Sequence, residues 1–280
     1  MDRQGFIDFN TRLSPENSGK ADSYARAIKI LDDVLLHQDV IDLHEQSLFD
    51  ITDLAVIEAV LHLVNGEVKK MKNRQMSIFD YGNPNQKSYP LNNFCSAALK
   101  SLMKYVQYEQ EVLSADRIVA QESNPRTIST KLITHFDITK EGEDKSSMTK
   151  QRKGQEYFRH MILANYDCRC ALTGIDIPQL LLASHIIPWA DKSHKKDRLN
   201  PCNGICLSAL YDKAFDRGLI TISPDDYTVR LSSALREYES KDYFDRHFGS
   251  ISGRKIILPD SYKPSRDFLA YHREKVFLGS

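Results

Sequence analysis

The sequence predicts an α+β protein, with a helical N-terminal half followed by a strand–loop–strand–helix module. Three observations predict it. Apolar residues recur at helical spacing through residues 20–112, two short apolar runs at 180–187 and 204–207 flank a basic loop, and a short helical stretch carries two aspartates right after the second run. The 280 residues are long enough to bury a sizeable core, with 41% hydrophobic content. The 38 basic and 38 acidic residues cancel, so contact with a polyanion has to rest on local patches. MDRQGFIDFN lacks the order of a signal peptide and no apolar run reaches the roughly 20 residues that span a bilayer, so the expected location is cytoplasmic, with no membrane partner.

The first helix is expected from Lys20 to about His37, on the stripe Tyr24, Ile28, Leu31 and Leu35. A second follows Asp50 with Leu54, Ile57, Leu61 and Val64, and Asn65-Gly66 reads as its stop. Asn73 to Lys87, with Gly82 and Pro84, reads as a loop. A third helix is expected from Pro90 through Phe94, Ala98, Leu102 and Tyr105 to about Val112. Together these predict a helical domain over 1–113 for DNA binding or interaction, with Lys20, Arg26, Lys29, Lys69, Lys70, Lys72, Arg74, Lys100 and Lys104 as candidate phosphate contacts. Its element order, a short extended N-terminal lead, then SGKADSYARAIKILDDVL, two more helices and an aromatic-rich end at LKSLMKYVQYEQ, loosely resembles the helical DNA-gripping N-terminal domain of tyrosine recombinases. Residues 114–150 lose periodicity and read as a linker, with a strand at Thr130 to Ile138 and the charged run KEGEDKSSMTK.

Residues 151–280 form the second predicted domain. A helix ends near Asn165, a strand runs over Leu180 to Ile187, and Pro188 stops it, which leaves His185 near a strand end, where a side chain can face a cleft. The loop from Trp189 to Pro201 holds Lys192, Lys195, Lys196 and Arg198, a plausible phosphate contact. Gly204 to Leu207 is the partner strand, antiparallel to the first, and Ser208 and Gly218 cap the next helix. On that helix Asp212 and Asp216 lie four apart on one face, a spacing that can hold a divalent cation through oxygen ligands. Beyond it come a hairpin about Ser223-Pro224-Asp225-Asp226, a helical segment from Ser233 to Phe248, a strand from Arg254 to Leu258 and a helix from Ser265. Cys168, Cys170, Cys202 and Cys206 flank the module; C-x-C and C-x3-C are not usual zinc spacings, which favours buried thiols over a structural zinc. Cys95 reads as core.

The ordered motifs R-x-G-Q-x-x-F-R, C-x-x-T-G, A-S-H-I-x-P-W, N-G-x-x-L and A-F-D-R-G-L-I-T, with LPDSYKP and FLAYHREKVF near the end, resemble the HNH endonuclease family over about residues 150–278. The resemblance implies a ββα-metal fold and a metal-dependent DNA endonuclease of bacterial restriction or phage-defence type. It implies that His185 is the general base, that Asn203 holds the loop and orients His185, and that Asp212 and Asp216 bind metal, with Asp212 in the catalytic set. Lys192, Lys195, Lys196, Arg198 and Arg217 are the expected nucleic-acid contacts. The chain departs from the commonest pattern at Ser184, where many members carry Asp or His, and at Asp212, where many carry His. Carboxylates favour Mg2+ or Mn2+ over Zn2+. The expected partners are double-stranded DNA, a second copy of the chain and a regulatory protein. The alternatives are a non-cleaving nucleic-acid-binding protein with a degenerate ββα module and a partner-activated nuclease effector.

Overall fold

The computed structural model describes residues 2–14, 18–38, 40–81, 87–138 and 145–279. It is mixed helix and sheet, and its chain divides into two compact units, residues 1–113 and 114–280. The first unit holds α1 (Arg3–Arg12), α2 (Lys20–Gln38), α3 (Leu54–Lys72), the single turn α4 (Ser88–Leu91) and most of α5 (Phe94–Gln121). Phe6, Ile28, Leu31, Ile57, Val64, Leu99, Leu102 and Val106 meet in its core, with Cys95 among them as expected. The edge-on contact of Phe6 with Tyr105 joins α1 to α5.

The structure departs from the expected helices in three places. The N-terminal lead is the helix α1, capped by the Asp2 side chain on the Gly5 amide, with its apolar positions limited to a few residues such as Phe6 and Phe9. Asn65-Gly66 does not stop α3: Val64 and Val68 continue the buried stripe, and that burial outweighs the roughly 1 kcal/mol that a mid-helix glycine costs. Pro90 sits in α4, and the long helix starts only after Asn93, whose positive φ of 62° breaks the chain direction. Gly82 and Pro84 of the expected loop lie outside the described residues, as do Lys140 to Asp144 of the charged run.

The expected linker is a second correction. The described residues of 114–150 are largely helical, through the end of α5, α6 (Pro125–His135) and the start of α7 (Lys145–Asn165), and they belong to the second unit. The expected strand over Thr130 to Ile138 is therefore mostly α6. The Asn124 side chain caps it on the Arg126 and Thr127 amides, Pro125 fits its first turn, and Ile128 and Leu132 are fully buried at helical spacing. Two or three anchor residues on a polar helix are too few to give a visible stripe.

The rest of the second unit follows the expected order. Strand β1 (Leu181–His185) pairs antiparallel with β2 (Gly204–Ser208), placing His185 opposite Gly204, and α8 (Ala209–Asp216) follows at once. Strands β3 (Ile220–Ile222) and β4 (Val229–Leu231) form a second antiparallel pair. The expected strand at 254–258 is reduced to one bridge, Thr228 with Lys255. The segment 233–248 is a 3-10 helix plus α9 (Asp242–His247), and α10 (Arg266–Lys275) closes the chain. The β1–β2 hairpin lies between α7 and α8, so its two faces meet different helices.

Candidate active site

Alternation along β1 sends neighbouring side chains to opposite faces. Ser184 meets α8 and His185 meets α7. The His185 ring stacks on Phe158 of α7, with centroids 3.8 Å apart and planes 15° apart, and Trp189 meets it edge-on at 5.5 Å. Its Nε2–H donates to the Arg198 carbonyl at 3.0 Å, because a carbonyl can only accept. That bond selects the neutral tautomer with the lone pair on Nδ1. Burial pushes the His185 pKa down to about 4, and the Arg198 charge acts in the same direction against the carbonyl bond. The ring is therefore neutral at pH 7, and its tautomer leaves the Nδ1 lone pair as an acceptor.

The stack on Phe158 depends on Gly204. A Cβ there would lie 2.7 Å from Phe158 Cζ and 2.5 Å from Ile162 Cδ1, so the missing side chain makes room for the ring beneath His185. Gly204→Ala is expected to overpack this layer and lower stability by roughly 1–3 kcal/mol, read as a lower urea midpoint at an unchanged slope.

Asn203, 1% exposed, ties the two ends of the loop together. Its Oδ1 accepts from the Ile187 amide at 2.9 Å, its Nδ2 donates to the Asp197 carbonyl at 3.1 Å, and its own carbonyl accepts from the Ile186 amide. Of the expected phosphate contacts, Lys192, Lys196 and Arg217 are exposed and Lys195 is half-buried. Arg198 is a correction: it is 8% exposed, donates through Nε to the Trp189 carbonyl and lies over the Trp189 ring, so it braces the loop from inside. Helix α6 supports the same loop through the Ser129 hydroxyl, which donates to the Lys196 carbonyl at 2.6 Å.

Sequence reasoning missed a second set of loop bonds. The Asp191 carboxylate accepts from the Ser193 amide and hydroxyl and from Tyr271 of α10, and lies beside His194 Nδ1. Those bonds, the Ser193 hydroxyl first, hold the carboxyl well below the usual carboxylate range. His272, the next residue of α10, is 1% exposed and uses both ring nitrogens. Its Nε2–H donates to the Phe215 carbonyl at 3.2 Å and its Nδ1 accepts from the Thr221 hydroxyl at 2.9 Å. The pattern Asp-x-Ser in the loop carried a local turn signal, but nothing along the chain points from it to Tyr271.

On the α8 face, the Ser184 hydroxyl donates to Asp212 Oδ1 at 2.6 Å. Asp216 lies one turn on, and its pKa is raised, by burial first and then by the Asp212 charge, against the opposing Lys213 and Arg217. Two carboxylates and a hydroxyl make an all-oxygen donor set whose mutual repulsion a cation would relieve, which suits a hard divalent ion completed by water and phosphate oxygens. Among the described residues, no group of three or more His, Cys, Asp or Glu is placed to hold a metal. All five cysteines are free thiols: Cys95, Cys170 and Cys206 are buried, Cys202 is partly buried and Cys168 is exposed, and Cys170 accepts from the Ser208 amide.

Residues 170–223 match the HNH endonuclease family. The HNH segment contains His185, Asn203, Asp212 and Asp216, while α7, which supplies Phe158, and α10 lie outside it. No curated protein matches the chain. An HNH segment points to a nuclease, with nucleic acid as substrate and a chemistry that generally uses a divalent metal. Among the described residues, no helix is long and apolar enough to cross a membrane.

Two imidazoles shielded from water, His185 and His272, give the second unit an acid sensitivity. Burial lowers the pKa of His185 and of His272 to about 4, whereas an unfolded histidine takes its proton near 6.5. The unfolded state thus binds more protons between these values. Stability is full above about pH 7 and falls as pH drops from 6.5 toward 4, by on the order of 2 kcal/mol per imidazole between pH 7 and pH 5. Urea unfolding at pH 7, 6 and 5 checks this, and His272→Phe should remove its share of the slope.

Proposed function

We propose that this chain is a metal-dependent DNA endonuclease that hydrolyses phosphodiester bonds. The observation that carries the reading is the fixed tautomer of His185: inside a segment of the HNH family, its Nε2–H is held on the Arg198 carbonyl, which leaves Nδ1 to accept a proton. In this reading Nδ1 takes the proton of a water whose oxygen attacks phosphorus, and the 3′-oxygen leaves. Asn203 keeps the loop closed so that the Arg198 carbonyl stays on the Nε2–H of the ring. Asp212 and Asp216 would hold the cation, Mg2+ or Mn2+ rather than Zn2+, and Ser184 orients Asp212. When bound, the cation supplies Lewis-acid stabilisation of charge on the phosphate and the leaving oxygen. Lys192, Lys195, Lys196 and Arg217 contact phosphates and so set the position of the duplex without reading its sequence.

The reading extends to double-stranded DNA as substrate, to a homodimer as the unit that cuts both strands with one site per chain, to a role in bacterial restriction or phage defence, and to the unit of residues 1–113 as a DNA-binding or interaction module. The test is incubation of the purified protein with supercoiled plasmid and Mg2+ or Mn2+, against EDTA, on methylated, unmethylated and phage-derived DNA, with light scattering to size the active form. Cleavage that needs the cation supports the reading. A second reading is favoured by the small donor set at Ser184, Asp212 and Asp216: a binding protein whose ββα module does not cut. DNA retention with no cleavage under any divalent cation selects it.

A further inference from the structure

We propose that α10, outside the segment that matches the HNH family, positions both halves of the site through two adjacent residues: Tyr271 sets the basic loop, and His272 sets the helix that carries Asp212 and Asp216. The inference rests on the nuclease reading of that site and assigns it positioning residues that the family match does not reach.

Tyr271 donates its hydroxyl to Asp191, and its ring meets His194 edge-on at 4.8 Å. Asp191 also gathers the Ser193 amide and hydroxyl, so the turn from Asp191 to His194 is one hydrogen-bonded unit hung from α10. Lys192 projects from inside that turn, and Lys195 and Lys196 follow directly. Fixing the turn fixes where these ammonium groups stand relative to a phosphate backbone. Asp191 is held well below the usual carboxylate range and the Tyr271 phenol is pushed up, so the donor keeps its proton and the acceptor its charge across neutral pH.

His272 grips the other half. Its ring lies flat on Phe215, centroids 3.7 Å apart and planes 7° apart, and its Nε2–H holds the Phe215 carbonyl. Phe215 sits in α8 next to Asp216 and three residues after Asp212, so the backbone it anchors is the one that aims both carboxylates. The Thr221 hydroxyl on Nδ1 ties the same ring to β3. The chain after α10 closes the grip: the Leu278 amide donates to the Gly218 carbonyl, and Gly218 (φ +66°) passes so near the Val276 carbonyl that a Cβ would lie 2.1 Å from its oxygen. Successive residues of a helix point about 100° apart, which lets one turn of α10 serve two elements. Such supports matter because a displacement of about 1 Å at a reacting group costs about 100-fold in rate, and loss of a residue behind a metal ligand typically costs 10–100-fold in metal affinity.

The experiment compares the full chain with Tyr271→Phe, His272→Phe, which keeps the ring stack but loses both hydrogen bonds, and His272→Gln, which restores a donor and an acceptor. Five quantities are read: DNA affinity without divalent cation, Mn2+ affinity by electron paramagnetic resonance, kcat and KM for plasmid nicking, and Tm. Tyr271→Phe is expected to weaken DNA binding and raise KM about tenfold, with kcat and Mn2+ affinity unchanged. His272→Phe is expected to weaken Mn2+ binding and lower kcat by about 10–100-fold with DNA affinity unchanged, and His272→Gln to recover most of the loss. Variants that change all quantities together in step with Tm, or change none, overturn the proposal. If the wild type nicks no plasmid with any cation, the nuclease reading falls, and the DNA and Mn2+ affinities alone still decide the division between the two residues. If His272→Phe does not fold, Thr221→Val removes only the hydroxyl on Nδ1, and an unchanged Mn2+ affinity there overturns the His272 half.

Discussion

His185→Ala is expected to lower plasmid cleavage by about 10²- to 10⁴-fold, the usual contribution of a positioned general base, while DNA affinity stays close to wild type. The ring supplies the basic nitrogen, and because its Nε2–H is committed to the Arg198 carbonyl, that nitrogen is Nδ1, which the alanine variant lacks. The substitution also removes one side of the stack with Phe158 and opens a cavity on the α7 face, which costs a few kcal/mol. The assay therefore belongs well below the unfolding temperature, with circular dichroism on the same sample. Cleavage at the wild-type rate by a folded His185→Ala protein would falsify the assignment of the base.

The second large effect is expected at Asp212. Asp212→Asn keeps the shape of the side chain and still offers Oδ1 to the Ser184 hydroxyl, so it removes charge with little change in packing. Cleavage should fall by about 100-fold or more, because a cation held through one carboxylate delivers less of the several kcal/mol of charge stabilisation expected of it. Stability should hold or rise slightly, since the negative charge that helps raise the Asp216 pKa is gone. The same variant should bring the Asp216 pKa down toward the ordinary carboxylate value, which carboxyl NMR titration measures directly. Loss of activity with gain of stability separates a ligand from a structural residue. An unchanged Mn2+ requirement and rate in Asp212→Asn would move the cation elsewhere.

The β1–loop–β2–α8 order and the places of His185, Asn203, Asp212 and Asp216 within it were legible along the chain, because each lies within a few residues of the element that carries it and the motifs fix the spacing. The helical N-terminal unit was legible where stripes were strong, as at Ile28 and Leu31. It was misread at Gly66 and before Arg12, where packing overrode a local stop signal and a short helix lacked a stripe. The region 114–150 was misread for a related reason: α6 is a polar helix held by Ile128 and Leu132, and its support of the basic loop comes from a Ser129 to Lys196 contact across 67 residues.

Arg198 marks the limit of charge as a guide. Its place among Lys192, Lys195 and Lys196 suggests a phosphate contact, yet it is folded inward onto Trp189. A charge in a sequence shows that a cation is present and says nothing of which way it points. The tautomer of His185 was out of reach for the same reason, since the Arg198 carbonyl that selects it lies 13 residues away.

By itself the sequence determined the residue types of the site, their order and the family to which residues 170–223 are matched, all of which are local and survive any packing. The tertiary structure alone decided that His185 is neutral and stacked on α7, that Ser184 turns to Asp212 on the opposite face, and that Tyr271 and His272 reach back to the loop and to α8. Those are contacts between residues far apart in the chain, and their partners are chosen by which faces can be buried together.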